Sequence, residues 1–284
     1  MNSDINLRVL EKKIIEFKNY FLLIFFIFFL TCMNFKNFNH VFALDTYSSS
    51  TPLKNIINKS DPTTYKDIEL IRIEKIETSD GRLGDHSNKY EATFYLFEAK
   101  YQYSNNIKIW VNSEFKTPEK IVEVALRYSK MLGQVPDYFR SELKWIIIHG
   151  PWVDKSKCTC AWYAFRNEGV YIHTEMIPDQ EEEEILIHEL THVTIDSLYY
   201  NIRNEFIWKE VQKKDANYIS EYAEKKPLNE DIAESAVAWV AVRCKKDRIS
   251  KSVYKKVIKT IPNRLKVLDD LIFGNSLNPL ICKK

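Results

Sequence analysis

Residues 185–193 have the sequence Ile-Leu-Ile-His-Glu-Leu-Thr-His-Val, and they decide which fold and chemistry this chain can have. His188 and His192 are four positions apart, so in a helix the two imidazoles lie one turn apart on the same face. Glu189 directly follows the first histidine. Two neutral nitrogen ligands and an adjacent carboxylate are what metal-assisted hydrolysis needs, because the carboxylate can take a proton from water. The alternative is a chance match of a short motif on a helix face.

The N-terminal residues 1–43 have the pattern of an export signal. Four basic residues (Arg8, Lys12, Lys13 and Lys18) precede an apolar run over residues 20–31, and Val41-Phe42-Ala43 places small residues at a cleavage site. The run is shorter than the roughly 20 residues of a membrane helix. We therefore expect a signal peptide and a secreted, periplasmic or otherwise extracytoplasmic protein. The alternative is an uncleaved anchor over residues 20–33, which would hold the protein at the membrane.

Composition and charge limit the possible partners. The 284 residues are 45% hydrophobic, enough for a packed core. Without residues 1–43, the chain has 36 basic and 36 acidic side chains. A neutral chain has no basic field for nucleic acid, so we expect none as a partner and a protein or peptide as the substrate. The glycines form neither a phosphate-binding nor a nucleophile-elbow motif.

Four cysteines remain after the predicted signal: Cys158, Cys160, Cys244 and Cys282. In an oxidising compartment an even number favours disulfides, and a bridge between Cys158 and Cys160 is unfavourable because neighbours two apart in a strand cannot easily meet. We therefore expect the segment of Cys158 and Cys160 to be bridged to Cys244, to Cys282, or to both. Four reduced thiols, or one bridge with two free thiols, are the alternatives.

Hydrophobic patterns divide the rest of the chain into three parts. Residues 44–66 are polar and without an apolar period, which predicts a flexible lead-in. Residues 67–116 alternate with period two, which predicts a small β-rich region. Residues 117–284 form the predicted catalytic domain, which begins with a helix over 117–133 that Thr117 caps and Pro118 opens. A strand over 144–149 and a hairpin formed by residues 160–165 and 170–175 follow.

A catalytic metal site usually has three protein ligands and one open position, so a third donor must come from another element. Glu230 and Glu234 are four apart in a predicted helix over residues 228–239, so one can bind the metal and the other can hydrogen bond to a ligand imidazole. Asp196 is a weaker alternative because three ligands from one helix would strain a tetrahedral site. His149 and His173 lie at strand ends and are predicted to be core or cleft residues. The glutamates at 181–184 are predicted to be a solvated helix start.

The segments 188–192 (His-Glu-Leu-Thr-His) and 229–234 (Asn-Glu-Asp-Ile-Ala-Glu) together resemble the gluzincin zinc metallopeptidases, in particular the catalytic domain of anthrax lethal factor and secreted bacterial relatives. The resemblance covers about residues 140–245. It implies zinc as the cofactor and an α+β, zincin-like catalytic domain with a small mixed sheet, an active-site helix and a glutamate helix. The residues that it assigns are His188, His192 and Glu230 as zinc ligands, Glu189 as general base, Glu234 as a hydrogen-bond partner of a ligand, and Tyr222 as an oxyanion-stabilising residue.

We therefore expect a secreted zinc metallopeptidase in which Glu189 takes a proton from the attacking water and passes it to the leaving amine. A buried structural role is the alternative for Tyr222. An extended substrate is predicted to pair with an edge strand over residues 170–175. The alternative for the whole protein is a non-catalytic secreted interaction or adhesion module on a zincin-like fold.

Overall fold

A seven-stranded mixed β-sheet is the framework of this α+β protein. The computed structural model describes residues 42–43, 53, 55–79, 89–150, 162–165, 168–174, 181–196, 202–275 and 282. The strands are β1 (Phe42–Ala43), β2 (Tyr65–Ser79), β3 (Lys89–Tyr101), β4 (Ile107–Asn112), β5 (Trp145–His149), β6 (Trp162–Phe165) and β7 (Gly169–His173). Their spatial order is β1-β6-β7-β5-β4-β3-β2. The central β4, β5 and β7 are parallel, and the remaining pairs are antiparallel.

Seven α-helices accompany the sheet in the described part of the chain. They are α1 (Pro118–Gln134), α2 (Glu182–Thr191), α3 (Ile202–Asp215), α4 (Glu221–Lys225), α5 (Asp231–Arg243), α6 (Lys251–Thr260) and α7 (Pro262–Asn275). A π-helical turn, His192–Asp196, continues α2. Three short 3-10 turns, Ser113–Phe115, Asp137–Arg140 and Lys246–Arg248, lie between the larger elements.

Local sequence explains where α1 begins and ends. The Thr117 side chain accepts a hydrogen bond from the Lys120 amide and Pro118 occupies the first helical position, so the predicted start is confirmed. The helix ends at Gln134, one residue beyond the prediction. Gly133 has a packing role there, since a Cβ at this position would lie 2.6 Å from the amide nitrogen of Tyr65. The chain that enters β2 can therefore pass close to the end of α1.

The main core lies between one face of the sheet and the helices. The inner residues of β5, Ile146 and Ile148, and those of β7, Val170 and Ile172, are fully buried there. Helix α2 packs against the same core, with Leu186 among its buried residues. These contacts place the His-Glu-Leu-Thr-His segment beside the sheet, so the core positions the candidate site.

The segment before β2 differs from its prediction. Ile56 and Ile57 are buried in the core, so this part of the predicted flexible lead-in is packed against the domain. Asp61 forms ion pairs with Lys245 and Arg248, which fixes the segment to the turn between α5 and α6. The strands β2, β3 and β4 are antiparallel, which confirms the predicted β-rich character of residues 67–116, and they belong to the same sheet as β5 and β7. The segment before β2 was predicted to be flexible because its composition is mostly polar, and the packing of its two isoleucines does not appear in that average.

The cysteine prediction requires a correction. Cys244 and Cys282 form a disulfide with each other, 38 residues apart. The expected bridges from Cys158 or Cys160 to these two cysteines are therefore wrong. Sequence spacing could not show that the C-terminus returns to the end of α5. Cys158 and Cys160 lie outside the described residues.

The predicted signal peptide lies outside the described residues except for its last two positions. Phe42 and Ala43 form β1, and they pair with Ala164 and Tyr163 of β6. All described residues belong to one compact unit that extends from Val41 to Lys284. Within the described part of the chain, no helix combines the length and apolar character that crossing a membrane requires.

Candidate metal centre

Helix α2 is buried along its whole length, including its acidic first turn. Glu182 accepts a hydrogen bond from the Tyr128 hydroxyl (3.1 Å) and forms an ion pair with Arg127. Glu184 accepts one from the amide of Ile56 (2.6 Å). The prediction of a solvated acidic helix start is therefore wrong for these glutamates, because α1 and the 55–61 segment cover them. These contacts fix the helix that carries His188 and continues into the turn that begins at His192.

Three ligand atoms converge next to α2. Nε2 of His188 lies 3.1 Å from Oε2 of Glu230 and 3.2 Å from Nε2 of His192. Nε2 of His192 lies 3.2 Å from the same Glu230 oxygen. All three side chains are at most 4% exposed. Within the described residues, this is the group of three side chains that could hold a metal ion.

The spacing of these atoms fits a tetrahedral zinc site. Ligand atoms about 2.0–2.1 Å from a tetrahedral ion lie roughly 3.3 Å from one another. The three observed separations, 3.1–3.2 Å, are close to that value. Two imidazole nitrogens and one carboxylate oxygen are also a donor set that suits zinc. The residues present therefore fit a zinc ion.

Glu230 and Glu234 reach His188 from the start of α5. Glu230 is the N-cap residue of this helix, and Glu234 lies one turn further on. Oε1 of Glu234 lies 3.1 Å from Nδ1 of His188. A partner on Nδ1 fixes the orientation of the ring and directs Nε2 towards the other ligand atoms. The structure thus brings together two histidines of the first segment, His188 and His192, and two glutamates of the second, Glu230 and Glu234.

The histidines and glutamates of this cluster shift one another's pKa. Burial opposes a charged His188, but its hydrogen bonds to Glu230 and Glu234 outweigh this and raise its pKa to about 9. The pKa of Glu230 is lowered although burial opposes it, because His192 and His188 are positive neighbours and hydrogen-bond partners. A metal cation at this point would compete with a proton for His188.

Glu189 lies beside the three ligand atoms and is almost fully buried. Burial raises its pKa to about 7, while the nearby histidines and a backbone hydrogen bond from Ala164 of β6 act in the opposite direction. Its Oε2 accepts no hydrogen bond from any described residue. A carboxyl group with a pKa near neutrality is suited to transfer a proton in either direction.

Tyr222 lies in α4, close to the histidine cluster. Its ring centroid is 6.3 Å from that of His188, with the planes at 30°. The ammonium group of Lys226 lies 5.1 Å from the same tyrosine ring. Ser220 caps α4 by accepting a hydrogen bond from the Ala223 amide. The fold therefore brings Tyr222 next to His188.

The other candidates have different positions. His149 and His173 are buried at the ends of neighbouring strands β5 and β7, with ring centroids 5.3 Å apart. Nδ1 of His149 lies 3.2 Å from both the Tyr90 hydroxyl and the Asn112 amide nitrogen. These histidines are core residues of the sheet, as predicted. The side chain of Asp196 lies outside the described part.

The predicted substrate-binding strand requires a correction. β7 lies between β5 and β6, so its backbone is paired on both sides and it is not an edge strand. The strand beside Glu189 is β6, through Ala164. The sequence predicted the hairpin of β6 and β7, but the order of strands in a sheet depends on tertiary pairing. The position of β6 beside Glu189 could therefore not be predicted from the sequence.

This chain matches no known family model, no curated protein sequence and no solved structure.

Proposed function

We propose that this chain is an exported zinc metallopeptidase of the gluzincin type, with a zincin-like catalytic domain. The observation that carries the proposal is the convergence of His188, His192 and Glu230 at 3.1–3.2 Å, with Glu189 beside them. Two separate segments of the chain supply these residues. A chance helix motif would not be expected to meet a third buried donor at the distance that zinc requires.

The proposed roles follow from position. Bound at His188, His192 and Glu230, zinc would act as a Lewis acid that polarises a carbonyl and activates water at neutral pH. Glu189 takes a proton from the attacking water and gives it to the leaving amine, for which a pKa of about 7 is suitable. Tyr222 stabilises the oxygen on which negative charge develops. Glu234 keeps the His188 ring in place.

A peptide is the proposed substrate class because β6 lies beside Glu189. An extended peptide can add to the edge of a sheet through backbone hydrogen bonds, and alternate side chains then determine specificity. In the described chain the outer edge of β6 pairs with β1, which belongs to the predicted signal peptide. Removal of residues 1–43 would leave this edge to the substrate.

The test is metal analysis of the mature chain together with cleavage of a peptide library, with and without a chelator. We expect one zinc per chain and cleavage that the chelator abolishes and added zinc restores. Zinc without cleavage would favour a non-catalytic binding module. A chain that binds no zinc would refute the metal centre itself.

A further inference from the structure

Asp231, the residue directly after the ligand Glu230, is the centre of a buried polar network. Its Oδ2 accepts hydrogen bonds from the Trp208 indole (2.9 Å), the Gln212 amide (2.8 Å) and Nε of Arg264 (2.8 Å). The side chains of Asp231 and Arg264 are completely buried. The network therefore joins the start of α5 to α3 and α7.

Arg264 extends the network to the segment that precedes Tyr222. Its NH1 group donates to Oδ2 of Asp215 (3.2 Å) and to the carbonyl of Asn217 (2.8 Å). Its guanidinium carbon lies 5.0 Å from the centre of the Tyr218 ring. Residues 217 and 218 lead directly into α4, which carries Tyr222. Arg264 thus contacts both the segment that precedes α4 and the first residue of α5.

We propose that Asp231 and Arg264 are positioning residues of the metal centre, holding Glu230 and Tyr222 in register with His188 and His192. The inference rests on the proposed zinc site. Glu230 is the ligand that does not belong to the histidine segment, so its distance from the histidines depends on where α5 begins. Asp231, the next residue, fixes that point through its hydrogen bonds to α3 and α7.

Energetics favour a positioning role over a purely stabilising one. Burial of an ion pair costs desolvation energy, so apolar residues of similar size often give equal or greater stability. What a buried pair with several hydrogen bonds does supply is one defined arrangement of the groups that it joins. At a metal site, groups that orient a ligand affect metal affinity directly.

The chain contains a comparable aspartate, with the same kinds of donor, near the other end of α5. Asp269 of α7 accepts hydrogen bonds from the Trp239 indole (2.8 Å) and from Nε and NH2 of Arg243 (2.8 and 2.9 Å), both in α5. Asp231 and Asp269 thus each accept hydrogen bonds from one tryptophan and one arginine, and each joins α5 to α7. Asp269 lies at the end of α5 that is remote from Glu230.

The experiment compares Asp231→Asn with Asp269→Asn in the full mature chain. Zinc affinity is measured by competition with a chelator, and the visible spectrum of the cobalt-substituted protein reports the ligand geometry. We expect Asp231→Asn to weaken zinc binding by about tenfold or more and to change the cobalt spectrum. Asp269→Asn should lower the unfolding midpoint but leave the affinity and the spectrum unchanged.

A milder variant covers the case in which Asp231→Asn does not fold. Trp208→Phe keeps the aromatic packing and removes one hydrogen bond to Asp231, and a few-fold loss of zinc affinity with an altered cobalt spectrum is expected. An unaltered spectrum and affinity in the folded Asp231 or Trp208 variant would overturn the inference. A wild-type chain that binds cobalt without hydrolysing peptides would overturn the proposed activity but still allow this comparison. A wild-type chain that binds neither metal would overturn both.

Discussion

Oε1 of Glu234 lies 3.1 Å from Nδ1 of His188, on the side of the ring opposite the converging ligand atoms. The two residues come from different helices, α2 and α5. The contact therefore links the orientation of one proposed zinc ligand to the position of the helix that supplies another. Groups that hydrogen bond to a ligand imidazole fix its tautomer and its direction.

Replacement of Glu234 tests this link. We expect Glu234→Gln to weaken zinc binding by about 10- to 100-fold, because an amide is a poorer partner for the ring N–H than a carboxylate. The dissociation constant is measured by chelator competition. Ser235→Ala is the matched control, since Ser235 is a buried neighbour in the same helix and should leave the affinity unchanged. Equal affinities for the two variants would contradict the role of Glu234.

Replacement of Glu189 separates metal binding from hydrolysis. Glu189→Gln should keep stoichiometric zinc and lose peptide hydrolysis by at least about 100-fold, because the amide cannot accept the proton. Zinc content and kcat/KM are measured on the same preparation. Undiminished cleavage by this variant would refute the general-base assignment.

Replacement of Tyr222 distinguishes its two possible roles. If the hydroxyl stabilises the oxyanion, Tyr222→Phe should lower kcat by roughly 10- to 1000-fold and leave KM and zinc affinity nearly unchanged. Steady-state kinetics and a thermal unfolding curve are compared with those of the wild type. A lower unfolding temperature with unchanged kcat would identify a structural tyrosine instead.

Replacement of Glu184 should increase the stability of the protein, and the gain should depend on pH. Burial raises the pKa of Glu184 from its ordinary value of 4.5 to about 7, although the Ile56 amide donates a hydrogen bond to the carboxylate. The negative charge of Glu184 therefore destabilises the folded state increasingly as the pH rises above 4.5. Glu184→Gln should therefore increase the free energy of unfolding by about 1 to 3 kcal/mol at pH 8 and by little at pH 5. Urea unfolding at both pH values measures the difference.

The control for this prediction is Glu119→Gln. Glu119 occupies the first turn of α1, but its side chain is exposed. Its replacement should change the free energy of unfolding by less than about 0.5 kcal/mol at either pH. A destabilised Glu184→Gln protein at pH 8 would argue against the charge effect.

The packing of residues 55–61 can be tested with isoleucine substitutions. Ile56→Ala should lower the free energy of unfolding by about 2 to 5 kcal/mol, because it leaves a cavity in the core. Ile73→Ala removes the same atoms from a side chain that is 52% exposed, so it should cost less than about 0.5 kcal/mol. Chemical denaturation measures both. Similar small losses would show that the segment before β2 is not part of the core.

Local signals in the sequence predicted the individual elements well. Thr117 and Pro118 mark the start of α1, and the spacing of Glu230 and Glu234 places both side chains on the His188 side of α5. These features depend on neighbours a few residues apart. Caps and helical periodicity act over that range, so the sequence is sufficient for them.

Long-range features were predicted poorly. Cys244 pairs with Cys282 and not with Cys158 or Cys160, and Glu182 is covered by α1 and not by water. Composition alone could not anticipate these contacts, because each depends on a segment more than 35 residues away.

The sequence by itself determined a pair of histidines, a glutamate between them and a separate pair of glutamates with matching periodicity. Tertiary structure decided that His188, His192 and Glu230 meet at 3.1–3.2 Å, that β6 lies beside Glu189, and that Asp231 is held by α3 and α7. The physical reason is that helix spacing is fixed by local geometry, whereas the distance between two helices is fixed by everything that packs between them.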